Sequence, residues 1–164
     1  MPVVSVVGRS KVGKTTFVEK LIRELKRRGY SVGTIKHYQH EFEIDQPGKD
    51  SWRHAQAGSD AAVIASPTKL AMVRSLEREQ TIDEIVAAMP EVNIVITEGY
   101  KHEGKPKIEV FRSAVVSELV SKPGELLALV TDEHLDVSVP QYDLDDAAGV
   151  ADLIEDELLS RVQA

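Results

Sequence analysis

Residues 8–16 read Gly8-Arg9-Ser10-Lys11-Val12-Gly13-Lys14-Thr15-Thr16. Two glycines five positions apart, followed by lysine and threonine, form the Walker A pattern of a phosphate-binding loop (P-loop). The glycines let the backbone turn so that successive N–H groups point into one concavity and bind phosphate oxygens. Lys14 can then reach the outer phosphates, and the Thr15 hydroxyl can ligate Mg²⁺. We predict that all nine residues contribute to a nucleotide-binding site.

The sequence on either side of this loop supports the prediction. Residues 2–7 are a short uncharged run rich in valine, which is typical of a buried parallel strand. After the loop, Phe17, Leu21 and Leu25 recur at helical spacing, and Gly29 follows as a helix-ending glycine does. Strand, loop and helix therefore occur in the order that a phosphate site requires, with the positive end of the helix at the loop.

Length and composition indicate an ordinary globular protein. The chain has 164 residues, of which 42% are hydrophobic and 29% are charged, and we expect a single domain over residues 1–164. No apolar run approaches the length of a membrane span, and the first residues lack a basic start and a cleavage site. We therefore expect no membrane association and a cytoplasmic location.

Charge and cysteine content exclude several other classes of function. The formal net charge of −7 disfavours a general nucleic-acid-binding role, which needs a broad basic face. The absence of cysteine excludes disulfides, thiolate metal sites and cysteine nucleophiles. A phosphate ligand remains compatible, because basic residues are concentrated in the loop itself.

The remaining pattern predicts an α/β protein with a mostly parallel sheet. Apolar runs typical of strands occupy residues 31–36, 92–97, 108–111 and 125–130, and helical patterns occupy residues 50–58, 82–89 and 145–161. We expect Asp50 or Ser51 to cap the first of these helices, and Thr81 with Glu84 to form a capping box at the second. The fold class that follows is a three-layer, phosphate-loop NTPase-like fold.

A hairpin extends this fold. Residues 61–65 and 70–73 are short apolar runs joined by Ser-Pro-Thr-Lys, which predicts two antiparallel strands with a longer turn. Such strands expose an edge unless they are paired or covered. The hairpin is therefore also a predicted dimer element.

A phosphate loop needs an acidic group to help hold Mg²⁺. Glu98 is the first acidic residue after the run at 92–97, and Gly99 behind it would allow the chain to turn close to the phosphate. Asp45, in the polar segment at 37–49, is the second candidate, because that segment also leaves a strand. The alternative for Glu98 is an exposed residue at a strand end.

Three histidines offer a weaker pattern. His37 and His40 stand three apart with Glu41 after them, and His54 follows further along. A zinc site can be imagined there, but His-x-x-His in a loop lacks the fixed helical spacing of a strong motif. Contact with phosphate or a partner, or simple solvation, is the better interpretation, and the single Trp52 is more typical of a core residue.

Recognition of the base has one candidate. A carboxylate can accept hydrogen bonds from the N1–H and the exocyclic amine of guanine together, and Asp132 follows a predicted strand. The usual guanine-reading tetrapeptide has Asn or Thr, then Lys, a spacer and Asp, whereas Thr131-Asp132 stands here without the lysine. A turn-forming aspartate after a strand is an equally good interpretation.

Taken together, these segments resemble the MobB family of molybdopterin-guanine dinucleotide biosynthesis proteins. The likeness extends over nearly the whole chain. It is carried by residues 8–16, 35–37, 44–45, 47–53, 98–101, 106–110 and 130–132. The string Pro47 to Arg53 and the pair of segments from Glu98 to Val110 are more specific than the phosphate loop, which many families share.

The resemblance implies a homodimeric GTP-binding adapter that requires Mg²⁺ and hydrolyses GTP poorly. Its partners would be MobA, the guanylyltransferase that attaches GMP to molybdopterin, and other enzymes of molybdenum cofactor (Mo-molybdopterin) biosynthesis. By this resemblance, residues 13–16 would bind the phosphates. Thr15 would also ligate Mg²⁺, and Glu98 would be its acidic partner. Lys11 departs from the family, because glycine often fills that position.

Two functions fit the residues. The adapter is favoured mainly by the resemblance. Slow hydrolysis is expected because no residue is clearly placed as an arginine finger or a water-positioning glutamine, and three candidates stay unassigned: Gln39, Gln46 and Arg53. The alternative is a phosphate-loop small-molecule kinase, since Glu98-Gly99 after a strand also suits that class. The charged segment 102–107 would then serve as its mobile lid, although its basic residues fit a partner-docking surface equally well.

Overall fold

The structure is a computed structural model that describes residues 1–38, 40 and 42–160. Its contacts divide the chain into two compact units. The larger unit comprises Met1–His37 and the chain from Val86 onward, and the smaller unit comprises Tyr38–Ile85. The single domain over residues 1–164 stays a prediction.

The larger unit is built on a sheet of six strands in which every pairing is parallel. Its strands are β1 (Val3–Val7), β2 (Val32–Lys36), β5 (Ile94–Glu98), β6 (Lys107–Phe111), β7 (Leu126–Thr131) and β8 (Gln141–Tyr142). Their order across the sheet is β2-β5-β1-β6-β7-β8. This confirms the predicted α/β fold with a mostly parallel sheet. The two-residue strand β8 is too short to show in the hydrophobic pattern.

Helix α1 (Lys14–Arg27) follows β1 and packs into the core with α4 (Ala147–Ile154). Phe17, Leu21 and Leu25 are buried, as their spacing predicts. Arg28 then ties the two helices together, because its Nη1 lies 2.6 Å from Asp152 Oδ1. Helix α1 therefore has a fixed position behind the phosphate loop.

The final helix differs in its bounds from the prediction of 145–161. Asp146 caps α4 by accepting a hydrogen bond of 2.8 Å from the Gly149 backbone N–H, so the helix begins two residues later than expected. After Ile154 the chain continues as one π-helical turn, Glu155–Leu159. The predicted end at Arg161 lies outside the described residues.

Two charged side chains of β6 are buried and secure the loop between β6 and β7. Glu109 is 1% exposed, and its two carboxylate oxygens accept hydrogen bonds from the backbone N–H groups of Val120 (2.7 Å) and Ser121 (2.9 Å). Lys107, also 1% exposed, donates to Glu125 Oε2 at 2.7 Å. The segment 106–110 that carries part of the family resemblance therefore stabilises the fold.

The smaller unit contains helix α2 (Asp50–Gln56) and the predicted hairpin, β3 (Ala61–Ala65) with β4 (Leu70–Arg74). The prediction that Asp50 or Ser51 caps α2 is wrong, since Lys49 is the N-cap and makes no side-chain cap. Asp50 instead stands in the first turn, where its charge is favourable. Trp52 is half-buried, and its Nε1 has no hydrogen-bond partner among the described residues.

Helix α3 (Ile82–Ala87) lies where the chain passes from the smaller unit to the larger. Its capping box is confirmed: Glu84 Oε2 accepts from the Thr81 backbone N–H at 2.9 Å, and Thr81 Oγ1 accepts from the Glu84 N–H at 3.2 Å. The helix ends before the predicted Met89. Across residues 1–38, 40 and 42–160, no helix has the length and apolar character needed to cross a membrane.

Candidate functional site

The phosphate loop connects β1 to α1 at the carboxyl edge of the larger unit's sheet. Gly8 has φ 139°, and a Cβ there would lie 2.4 Å from the Val110 carbonyl oxygen, so only glycine fits this close approach. Gly13 is the N-cap of α1, and no side chain caps the helix. The first N–H groups of α1 are therefore left for a ligand, as an anion site at a helix start requires.

A cavity of about 310 Å³ lies at this loop. Its lining residues are Ser10, Lys11, Gly13, Lys14, Thr15, Thr16 and Glu98. Six of the nine predicted loop residues and the predicted acidic partner therefore share one concave surface. Arg9 contributes through its backbone, because its carbonyl oxygen accepts a hydrogen bond of 2.7 Å from Lys14 Nζ.

Thr15 and Glu98 are in direct contact. Thr15 Oγ1 donates to Glu98 Oε1 at 2.8 Å, although the two residues are 83 positions apart in the chain. A hydroxyl and a carboxylate are the oxygen ligands that Mg²⁺ uses, with one or two protein groups completed by phosphate oxygens and water. The pair therefore fits the predicted Mg²⁺ site.

Sheet register explains how Glu98 reaches the loop. It is the last residue of β5, opposite Val6 of β1 and Lys36 of β2. Its backbone is held on both sides, since the His37 N–H donates to the Glu98 carbonyl at 3.0 Å and the Gly99 N–H donates to the Val6 carbonyl at 3.1 Å. The backbone at Glu98 is thus fixed at the edge of the sheet where β1 ends and the phosphate loop begins.

The turn after Glu98 is tightly packed. Gly99 has φ 107°, and a Cβ there would lie 3.1 Å from the His37 Cβ. The next residue, Tyr100, is buried with φ 56° and stacks on the His37 ring at a centroid distance of 4.4 Å. His37 therefore packs against the Glu98 turn.

The charges of the site are coupled to one another. Burial lowers the pKa of Lys14, the nearby Glu98 carboxylate raises it, and Lys36 lowers it further. Lys36 Nζ also lies 3.7 Å from Glu98 Oε1. Two ammonium groups therefore face one carboxylate, and this local excess of positive charge suits an anionic ligand.

Asp132 follows β7 directly, as predicted. Its Oδ1 accepts a hydrogen bond of 2.8 Å from the Ser113 backbone N–H, which lowers the pKa of the carboxyl group together with the charge of Arg112. It also lines a cavity of about 210 Å³ with Thr131, Tyr142 and neighbouring residues. The structure thus shows the loop-stabilising role of Asp132, and base recognition stays a prediction.

The other predicted residues belong to the smaller unit or lie outside the described residues. Asp45 and His54 belong to the smaller unit, where they line a cavity of about 570 Å³, and Asp45 Oδ1 accepts from the Gln46 N–H at 2.8 Å. Gln46 and Arg53 lie in the same unit, whereas Gln39 and Glu41 are outside the described residues. Within the described part of the chain, no group of three or more His, Cys, Asp or Glu side chains is arranged to hold a metal ion.

Comparison with known proteins gives the family. Residues 3–132 match the family model of MobB, molybdopterin guanine dinucleotide synthesis protein B. The chain belongs to the MobB family. The matched span contains every predicted site residue from Gly8 to Asp132, and family membership places the chain in molybdopterin-guanine dinucleotide biosynthesis.

Individual MobB relatives agree with this assignment. The chain is 32% identical over 160 residues to the molybdopterin-guanine dinucleotide biosynthesis adapter protein of Haemophilus influenzae, covering 96% of this chain and 90% of that protein. It is also 32% identical to the adapter protein of Escherichia coli, covering 94% and 91%. A crystal structure of molybdopterin-guanine biosynthesis protein B matches with a TM-score of 0.74 at 31% identity, covering 99% of both chains.

The loop position that Lys11 occupies in this MobB-family chain has a backbone conformation that favours glycine. Lys11 has φ 67°, in the left-handed region that favours glycine. The neighbouring Val12 is fully buried and anchors the loop, and Lys11 lines the cavity. The lysine therefore adds positive charge to the site, and its left-handed backbone conformation costs local strain.

Two basic residues at this MobB site are missing from the sequence-based prediction. Lys36 faces Glu98, as described above, and Arg112 follows β6 with its Nη2 3.7 Å from the position that a Cβ on Gly13 would occupy. Each is a basic residue at the end of a strand, and the sequence alone shows that position. Whether such a residue lies at the phosphate loop depends on the order of the strands in the sheet, which the sequence does not reveal.

Proposed function

We propose that this MobB-family protein is a cytoplasmic GTP-binding adapter in molybdopterin-guanine dinucleotide biosynthesis, with weak intrinsic GTPase activity. The observation that carries the proposal is the contact between Thr15 and Glu98 inside the cavity at the phosphate loop, next to Lys14. Its partners would be the guanylyltransferase MobA and other molybdenum-cofactor enzymes. The adapter names of the Haemophilus influenzae and Escherichia coli relatives support this role.

The residues divide into three tasks. The loop N–H groups and Lys14 would bind the phosphates, and Thr15 with Glu98 would hold Mg²⁺. When bound, Mg²⁺ supplies positive charge to the β- and γ-phosphate oxygens. Asp132 would read guanine: its Oδ1 accepts a hydrogen bond from the Ser113 N–H, and the residue lines a cavity together with Tyr142.

Slow hydrolysis is the expected kinetic property. The described lining of the loop cavity contains no glutamine that could orient the attacking water. We expect the purified protein with saturating GTP and Mg²⁺ to turn over well below about one per second, a rate typical of efficient enzymes. Phosphate release above that rate by the purified protein alone would contradict the proposed adapter with weak intrinsic GTPase activity.

The same preparation tests the kinase alternative. Gly99 makes the turn behind Glu98, and Lys101 and Lys105 lie in the segment that follows, with Lys101 exposed. A kinase would transfer the labelled γ-phosphate of a nucleotide to a pterin or another small acceptor. We expect no label on the acceptor. Detection of a labelled acceptor would contradict the adapter proposal and support the kinase alternative.

A homodimer is proposed from the hairpin of the smaller unit. Val63 and Met72 are opposite each other in the β3–β4 register, and Leu70 lies on the same face; they are 51%, 59% and 68% exposed. A two-stranded hairpin is marginally stable alone, and exposed apolar side chains favour association. A second copy of the chain would cover this face.

Light scattering at micromolar concentration tests the dimer. We expect twice the monomer mass for the wild-type protein and a monomer for Met72→Arg, because a charge on this face opposes burial. Val115→Arg, at a 43% exposed position of the larger unit, is the matched control and should remain dimeric. A monomeric wild-type protein would contradict the proposal.

A further inference from the structure

Arg112 lies at the carboxyl edge of the sheet, on the other side of the phosphate loop from Glu98. It follows the last residue of β6, and β6 pairs with β1 on one side and with β7 on the other. Strand β5, which ends at Glu98, pairs with the opposite side of β1. Along this edge the order is therefore Glu98, the phosphate loop, Arg112 and Asp132.

The guanidinium of Arg112 lies against the loop. Its Nη2 is 3.7 Å from the position that a Cβ on Gly13 would occupy, and its charge helps to lower the pKa of Asp132, after the larger effect of the Ser113 N–H. The residue is exposed. Among the residues that the structure describes, its side chain forms no hydrogen bond or ion pair, and it acts on the carboxylates of Asp132 and Asp145 only through its charge. The donors of this arginine are therefore available to a ligand.

A nucleotide bound as proposed would extend across the same edge. Its outer phosphates would lie at Lys14 and the Thr15–Glu98 pair, and its base at Asp132. The part between them, which is the α-phosphate and the ribose, must then pass the end of β6. Arg112 is the basic residue at that point.

We propose that Arg112 is a further nucleotide-contact residue whose guanidinium binds the inner phosphate of the bound nucleotide. A guanidinium presents N–H donors in a planar fork that fits two phosphate oxygens, so the contact would be bidentate. The inference rests on the proposed nucleotide-binding function. It adds that the Arg112 contact contributes equally to the binding of nucleoside mono-, di- and triphosphates, because all three carry the inner phosphate.

Calorimetric titration of Arg112→Ala tests the inference. We expect GTP and GDP, each with Mg²⁺, to bind about 10- to 100-fold more weakly, and by the same factor, because both carry the α-phosphate. GMP measured by competition should lose the same factor. Arg112→Lys keeps the charge without the fork and should show an intermediate loss.

Arg23→Ala is the matched control. Arg23 is an arginine of α1 with a 74% exposed side chain that pairs with Glu19, and its removal should leave all three affinities unchanged. Thermal unfolding of each variant establishes that it is folded. If Arg112→Ala is not folded, Arg112→Lys decides, since it should still weaken GTP and GDP equally.

The possible results are distinguishable. Unchanged affinities in the folded Arg112 variants would overturn the inference and leave the proposed function intact, provided that the wild-type protein binds GTP. A loss confined to GTP would also overturn it, because that result would place the guanidinium on the outermost phosphate. Failure of the wild-type protein to bind any of the three nucleotides would refute the proposed function and the inference with it.

Discussion

Lys14→Ala is expected to weaken GTP binding by about 10- to 100-fold, the scale of one or two lost charged hydrogen bonds. Lys14 Nζ donates to the Arg9 carbonyl at 2.7 Å, close to Glu98, and burial lowers its pKa. A phosphate would offer this partly desolvated ammonium group a stronger acceptor than a carbonyl oxygen. GMP, which lacks the outer phosphates, should lose much less affinity than GTP in the same titration.

Lys26→Ala provides the matched control for this experiment. Lys26 is exposed in the last turn of α1, so its removal changes the net charge of the protein by the same amount far from the loop. GTP affinity should be unchanged in that variant. Equal GTP affinity in Lys14→Ala and the wild-type protein would show that residues 8–16 are not the nucleotide site.

Glu109→Ala is expected to lower the free energy of unfolding by about 2–5 kcal/mol, without involving the phosphate site. The substitution leaves the backbone N–H groups of Val120 and Ser121 without their acceptors, in a place where Glu109 itself is 1% exposed. Urea denaturation followed by circular dichroism measures the change. Tryptophan fluorescence is less suitable, because the single Trp52 lies in the smaller unit.

Two variants calibrate the Glu109 result. Glu109→Gln keeps one carbonyl acceptor and should lose about half as much stability as Glu109→Ala. Glu118→Ala removes an exposed carboxylate from the same loop and should change stability by less than about 0.5 kcal/mol. If Glu109→Ala were as stable as Glu118→Ala, the buried carboxylate would not be what secures this loop.

Much of the fold could be predicted because buried parallel strands are short apolar runs. The run before Gly8 and the helical spacing of Phe17, Leu21 and Leu25 locate the phosphate loop with its strand and helix, and the structure has these elements at β1 and α1. The capping box of Thr81 and Glu84 was predictable for a similar reason, since it depends only on local spacing.

Predictions failed where a local pattern had two outcomes. Asp and Ser favour both the N-cap and the first helical turn, and Asp50 and Ser51 were predicted as caps although they stand inside α2, after the N-cap Lys49. The predicted helix at 145–161 began at its first acidic residue, whereas Asp146 serves as the cap and Asp145 pairs with Lys20. Helix ends depend on such competing side-chain contacts.

The site was only partly predictable because it depends on strand order. The contact between Thr15 and Glu98 joins residues 83 positions apart, and it exists because β5 pairs directly with β1. Placement of Lys36 beside Glu98 and of Arg112 beside Gly13 follows from the neighbouring pairings. A sequence shows that these residues end strands, but long-range pairing decides which of them meet.

Titration of the wild-type protein with GTP and with ATP, each with and without Mg²⁺, tests the central claim most directly. Calorimetry should show one GTP bound per chain, tighter binding with Mg²⁺ through Thr15 and Glu98, and weaker binding of ATP, which lacks the donor pair that Asp132 would accept. Equal binding of the two nucleotides would contradict the guanine-specific adapter and favour the kinase. Absence of binding by either nucleotide would contradict the assignment of residues 8–16 as the functional site.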